Sequence, residues 1–269
     1  MRLQITHRTT YTYQPPAQGI ALRLKLFPSD FNGQQVTDWA VRIAEEDVTP
    51  LHTDGFGDRV GLWLNRMPTE TVEIVAEGFV ETEDKVGVVD GLPRRPRPGV
   101  FLRDTDLTKP NDALRALGDR AKRNQTLDTL HALMADVRSS IVYTAGVTGP
   151  TTTASDALDG GKGVCQDQSH VFIAAARSLG IPARYITGYL AAADDDDALF
   201  ETHAWAEAYI DHLGWVGFDS TNGCCPDARY VRLCTGLDAD HAAPIAGSVF
   251  GDAAVSLEAH VAMSDAGQQ

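Results

Sequence analysis

Gly161-Lys162-Gly163-Val164-Cys165-Gln166-Asp167 is the stretch on which the reading of this chain turns. It runs into a segment, Val171 to Leu179, that puts Phe172, Ile173, Ala176 and Leu179 on one helical stripe. Gly180-Ile181-Pro182 then stops the helix, with glycine just past its end and proline beyond. A cysteine after a glycine-rich turn at a helix start meets unpaired N–H groups and the positive end of the dipole. Both favour a thiolate. The same N–H groups can hold an oxyanion forming on a substrate carbonyl. A small buried residue opening a core helix would leave the same local pattern, so Cys165 needs partners elsewhere in the chain.

His203-Ala204-Trp205-Ala206-Glu207-Ala208-Tyr209-Ile210 supplies them. Strict alternation predicts a strand with His203, Trp205, Glu207 and Tyr209 on one face and small residues on the other. Gly214-Trp215-Val216-Gly217-Phe218-Asp219 reads as its hairpin partner through a turn at residues 211–214. If Ile210 lies opposite Trp215, Asp219 falls near Ala206 and within a residue or two of His203. Cys165, His203 and Asp219 then form a nucleophile, a proton-holding imidazole and a carboxylate that fixes the ring's tautomer. The plain alternative is that His203 and Asp219 are a satisfied core pair.

These residues, with Leu179-Gly180-Ile181-Pro182-Ala183-Arg184-Tyr185 and Gly188-Tyr189, resemble the transglutaminase-like core superfamily. Its bacterial branch with an N-terminal β domain is the closer resemblance. Asp219-Ser220-Thr221-Asn222 resembles that branch's Asp-Pro-Thr-Asn signature, and Leu24…Phe27-Pro28, Asp54-Gly55-Phe56-Gly57-Asp58, Tyr230-Val231-Arg232 and Gly236-Leu237-Asp238…Ala243-Pro244 match elsewhere. The resemblance implies papain-like geometry: helices packed on an antiparallel sheet, with Cys165, His203 and Asp219 as the catalytic set. Ser220, Gln168, Asp58 and His241 depart from the usual pattern, and none of them touches that set.

Gln166, Trp205, Glu207 and Tyr189 are read as supporting residues. Trp205 and Glu207 are expected to hold the His203 strand by packing and hydrogen bonding. Tyr143, Tyr189 and Gln166 are candidates for lining the cleft, with plain packing as the equal alternative for each. Arg184 is expected to be a buried cation paired with Asp or Glu. Asp194–Asp197 reads as a solvated loop, with attraction of a cationic acyl acceptor as its alternative.

Upstream the period changes. Leu3, Ile5, His7, Thr9, Tyr11 and Tyr13 share one parity until Pro15-Pro16 ends the run. Ile20 to Leu26, Trp39 to Ile43 and Val72 to Ala76 repeat the alternation. This predicts a small antiparallel β-sandwich over residues 1–100. Residues 91–99, rich in proline and arginine, read as a stiff linker, with a basic docking strip as the minority view. Leu114 and Leu117, then Leu127, Leu130, Leu133, Val137 and Ile141, predict two helices. Strands are expected over 183–190, 203–210, 215–218 and in the tail 253–263. The fold class is therefore α+β, a β-sandwich followed by a catalytic unit over residues 101–269.

Composition sets the outer bounds. The 269 residues are 43% hydrophobic and 22% charged, the range of a globular chain large enough for its own core. A net charge of −14 argues against nucleic acid and against anionic membrane surfaces. No apolar run reaches spanning length and the first residues lack an apolar signal core, so a cytoplasmic chain is expected. Four cysteines are too few for a disulfide scaffold and fit no zinc spacing. Cys224, Cys225 and Cys234 are read as reduced. No cofactor or metal is expected. The expected reaction is thiol-dependent acyl transfer or hydrolysis on a peptide or protein substrate. Amine-accepting crosslinking, amide deglycosylation and a non-catalytic binding module are the alternatives.

Overall fold

The computed structural model describes residues 1–93, 96–191 and 202–266. Asp194–Asp197 and two linker arginines, Arg94 and Arg95, lie outside them. The N-terminal strands are β1 (Arg2–Ala17), β2 (Gly19–Leu24), β3 (Gln34–Ile43), β4 (Glu46–Asp47), β5 (His52–Thr53), β6 (Arg59–Asn65), β7 (Thr69–Thr82) and β8 (Val88–Val89). A 3-10 turn at Pro98–Leu102 leads to α1 (Asp112–Ala121), α2 (Thr126–Ser140), β9 (Val142–Tyr143), α3 (Ala154–Gly160), β10 (Lys162–Gly163) and α4 (Cys165–Ser178). The remaining strands are β11 (Ala183–Leu190), β12 (Thr202–Ile210), β13 (Gly214–Phe218), β14 (Tyr230–Gly236), β15 (Ile245–Phe250) and β16 (Ala254–Asp265).

Alternation makes the N-terminal sheets as expected: Leu3, Ile5, His7 and Thr9 of β1 are buried while Arg2, Gln4 and Arg8 face water. One sheet runs β16-β1-β7-β3-β4 and the other β15-β2-β6-β5. Two expectations are corrected here. Pro15-Pro16 does not end the first strand; β1 continues to Ala17, and its pairing with β7 breaks between Thr12 and Ala17, where prolines take up the unpaired positions. The division at residue 100 also fails at the other end of the chain. β15 pairs with β2 and β16 pairs with β1 over its whole length, so residues 245–265 complete the N-terminal sheets rather than the catalytic unit. In the opposite sense, β8 joins the sheet of the later residues beside β13.

The sheet that carries His203 is antiparallel, in the order β14-β11-β12-β13-β8. Its Ala204–Ala206–Ala208 face lies against α4, where Phe172 stacks on Phe218 at 5.4 Å between centroids. The small side chains allow this close packing. The helix is buried on nearly every side, which its own stripe did not foretell: from Val171 to Ala176 every residue is 0% exposed. α1, α2 and α3 cover the faces that β12 does not. β14 is buried at all seven positions, and without alternation it gave no strand signal in the sequence.

The N-terminal sheets close the outer edge of β14 with side chains. The Gln34 amide donates to the Arg232 carbonyl at 2.8 Å and accepts from its N–H at 2.7 Å. Asp58 Oδ2 accepts from Thr235 N at 2.7 Å. A sheet edge that would otherwise present unpaired backbone groups is thereby sealed. The buried apolar cluster is continuous from Leu3 and Ile74 through Leu24 to Val171 and Phe218.

Candidate active site

The helix start is built by a glycine and a carboxylate. Asp167 folds back from the first turn of α4 and accepts from Val164 N and from Thr148 Oγ1, each at 2.7 Å. A Cβ on Gly163 would lie 2.6 Å from that carboxylate oxygen, so only glycine fits. Cys165 is thus held half-buried at the first helical position. The N–H groups of this turn have no carbonyl four residues back to meet, and Val164 contributes no side-chain cap.

β12 carries His203 to the same point. Its hairpin with β13 pairs Ile210 with Gly214 and Ala206 with Phe218, one position tighter than the pairing expected. The shift puts Asp219 one step past Phe218, in reach of His203. The His203 Nε2 donates to Asp219 Oδ2 at 2.7 Å, and the Cys165 thiol lies close enough to the imidazole to raise its basicity. With Nε2 engaged, Nδ1 is the ring nitrogen left for sulfur.

Burial alone would lower the basicity of His203. The hydrogen bonds and charges of Asp219 and Cys165 outweigh it and push the imidazole up to about 10. Burial would likewise raise Asp219, but hydrogen bonds from His203, Asn222 and Tyr230 hold its carboxyl below the ordinary range. The Asn222 amide and the Tyr230 hydroxyl each donate to Oδ2 at 2.7 Å, and Thr221 N and Asn222 N donate to Oδ1 at 2.9 and 3.2 Å. Burial and the nearby Asp219 charge raise the Tyr230 phenol, so it remains a donor. Asn222 stood inside the Asp-Ser-Thr-Asn signature. Tyr230 sits eleven residues beyond Asp219, across a loop, and no local pattern marked its role.

Trp205 is buried between the two, its ring 6.2 Å from His203 and edge-on to Tyr230 at 5.5 Å. It occupies space left by Gly188, whose added Cβ would meet the Trp205 ring at 2.5 Å. Glu207 is 0% exposed and shared between two guanidiniums: Arg184 Nε at 2.6 Å and Arg232 Nε at 3.0 Å. It ties β11, β12 and β14 together, as its strand-holding role and the buried Arg184 pair require. Gln166 is half-buried beside Cys165.

For Tyr189 the structure selects plain packing over cleft lining. The residue is 0% exposed and lines no cleft; its hydroxyl meets His7 Nδ1 at 3.0 Å, bolting β11 to β1. Tyr143 is exposed on β9, paired with Gly163 just ahead of Cys165. All four cysteines are free thiols. Among the described residues, no group of three or more His, Cys, Asp or Glu is placed to hold a metal.

Residues 115–220 match the family model of the transglutaminase-like superfamily, and residues 3–81 match that of the bacterial transglutaminase-like N-terminal region. An uncharacterized protein of Mycobacterium leprae is 28% identical over 276 residues, covering 96% of both chains. Another, from Mycobacterium tuberculosis, is 27% identical over 278 residues, covering 93% of this chain and 88% of its own. A crystal structure from Cytophaga hutchinsonii, provisionally assigned as a cysteine protease, superposes with a TM-score of 0.76. It is 24% identical and covers 98% of this chain and 91% of its own, a likeness of fold.

Proposed function

Because this chain belongs to the transglutaminase-like superfamily, its core joined to a bacterial transglutaminase-like N-terminal region, we propose that Cys165, His203 and Asp219 perform thiol-dependent acyl transfer on peptide amides. Hydrolysis is the outcome we favour. The observation that carries the reading is the 2.7 Å bond from His203 Nε2 to Asp219, which leaves Nδ1 as the ring nitrogen to serve the Cys165 thiol.

In this reading the Cys165 sulfur attacks the amide carbonyl carbon, and the C=O electron pair moves onto oxygen. That oxyanion is met by the backbone N–H of Cys165. The imidazolium of His203 gives its Nδ1 proton to the departing amine, and the C–N bond breaks. A thioester remains on Cys165. Water then attacks it, losing a proton to His203, and the acid leaves as the thiol is restored. An amine in place of water gives an isopeptide crosslink by the same steps. Asp219 holds the ring orientation throughout and stays ionised.

The test is to trap the acyl-enzyme from a peptide library and read the adduct by mass spectrometry. An acyl adduct on Cys165, absent from Cys165→Ala, with free amine released into solution, is the expected result. Amine incorporation in place of release would assign crosslinking. Turnover retained by Cys165→Ala would remove the mechanism altogether.

A further inference from the structure

The two N-terminal sheets end differently on their two sides. On one side the last strands are β4 and β5, of two residues each, which leave almost no backbone to pair with. On the other side the last strands are β15 and β16, joined by residues 251–253. β16 pairs with β1 from Ala254 to Asp265 in one unbroken register, so no bulge turns it aside. It contains no lysine, arginine or proline, the residues that keep an exposed edge from pairing. Among the described residues, no element pairs with its outer edge.

The side chains leave the same edge open. Val255, Leu257, Ala259, Val261 and Met263 share the face that continues the apolar core. Val261 and Met263 are 3% and 6% exposed, whereas Val255 and Leu257 are 49% and 54% exposed. The core face therefore runs on along the strand past the point where anything covers it. Ile245 and Val249, on neighbouring β15, are only half-buried as well. The sandwich is thus open along one side, with apolar residues on both of its lips.

We propose that β16 is the contact surface for a second copy of this chain, paired antiparallel across a two-fold axis at Ala259. The side chains select that register. In it Leu257 lies opposite Val261 of the second copy and Val255 opposite Met263 of the second copy. The uncovered half of each core face then lies beside the covered half of the other. On the solvent face Glu258 lies opposite His260 of the second copy, twice by symmetry, and the imidazole can donate to the carboxylate. A slip of one residue turns the two core faces to opposite sides of the joined sheet. A slip of two sets Glu258 against Glu258, or His260 against His260. Because β4 and β5 blunt the far edges, the pair closes at two copies. This contact is independent of the proposed acyl-transfer reaction and stands or falls without it.

Sedimentation velocity of the full chain tests the assignment. At about 0.15 M salt the Debye length is about 8 Å, which screens the net −14 on each copy. The wild type is expected to pass from monomer to dimer as its concentration rises to about 1 mM, and to stop there. Leu257→Lys places a charge on the exposed apolar strip and should remove the dimer with the urea midpoint unchanged. Glu258→Lys should weaken association about fivefold, since it disturbs two facing pairs. Adding His260→Glu to it should restore the dimer, because lysine and glutamate then face each other. A wild type that stays monomeric throughout, or that grows past two copies, overturns the proposal. So does a dimer indifferent to Leu257→Lys, or a double variant no better than Glu258→Lys alone.

Discussion

Asp219 receives five hydrogen bonds, from His203, Thr221, Tyr230 and twice from Asn222, while fully buried. The carboxylate is fixed in place and kept ionised, and it keeps His203 protonated in turn. The Asp219→Asn variant removes the charge that opposes burial. The His203 titration should then fall from about 10 by about one unit or more, followed by ring ¹⁵N shifts. An unmoved midpoint would mean that Asp219 is not the group holding the proton. Tyr230→Phe takes away one hydrogen bond to the charged carboxylate and should cost about 2 kcal/mol in a denaturant titration while leaving the fold intact. At this scale the candidate catalytic residues were legible because each sits on a strong local signal: a glycine turn, an alternating strand, a hairpin. Tyr230 was not, since its contact with Asp219 is made across a loop. Tyr189 stayed open between two roles because a tyrosine in a family-like motif looks the same whether it lines a cleft or bolts two sheets together.

The elements place these side chains through a few tight contacts. Gly163 admits the Asp167 carboxylate that shapes the start of α4, so Gly163→Ala should displace the helix start without unfolding the chain. Circular dichroism is expected to be unchanged while Cys165 loses its advantage in alkylation rate over the other cysteines. Retention of that advantage would dissociate the turn from cysteine activation. Glu207 holds three strands through Arg184 and Arg232. Glu207→Gln leaves two buried guanidiniums without a countercharge and should destabilise by about 3–5 kcal/mol. Strand and helix positions were readable wherever one face met water. They were unreadable in β14, and incompletely so in α4, because burial on all sides erases the period.

Across the whole molecule the chain closes on itself. β16 lies along β1 and β15 along β2, a pairing between residues more than two hundred positions apart that no local periodicity encodes. The expected strand in the tail was correct, and only its partner was unforeseen. Removing residues 245–269 strips both sheets of an edge strand and should yield an aggregating chain without a cooperative unfolding transition. The N-terminal sheets also bury His7 against Tyr189, and α4 buries His170. Burial pulls both imidazoles down to about 4. They are neutral in the folded chain and take up protons more readily once unfolded. Their contribution to stability is therefore full above about pH 6.5 and is lost as the pH falls towards 4. Urea midpoints should decline across that window, and less steeply in His7→Gln; a flat profile would contradict the buried neutral state.

In the proposed reaction Cys165 is set apart from the other three thiols by His203 and the helix start. Timed iodoacetamide labelling of the folded chain at pH 7, with each cysteine followed by peptide mass spectrometry, tests this directly. Cys165 should be modified well ahead of Cys224, Cys225 and Cys234, and His203→Ala should remove the lead. Alkylation of Cys165 no faster than of Cys224 and Cys225, or a lead untouched by His203→Ala, would contradict it.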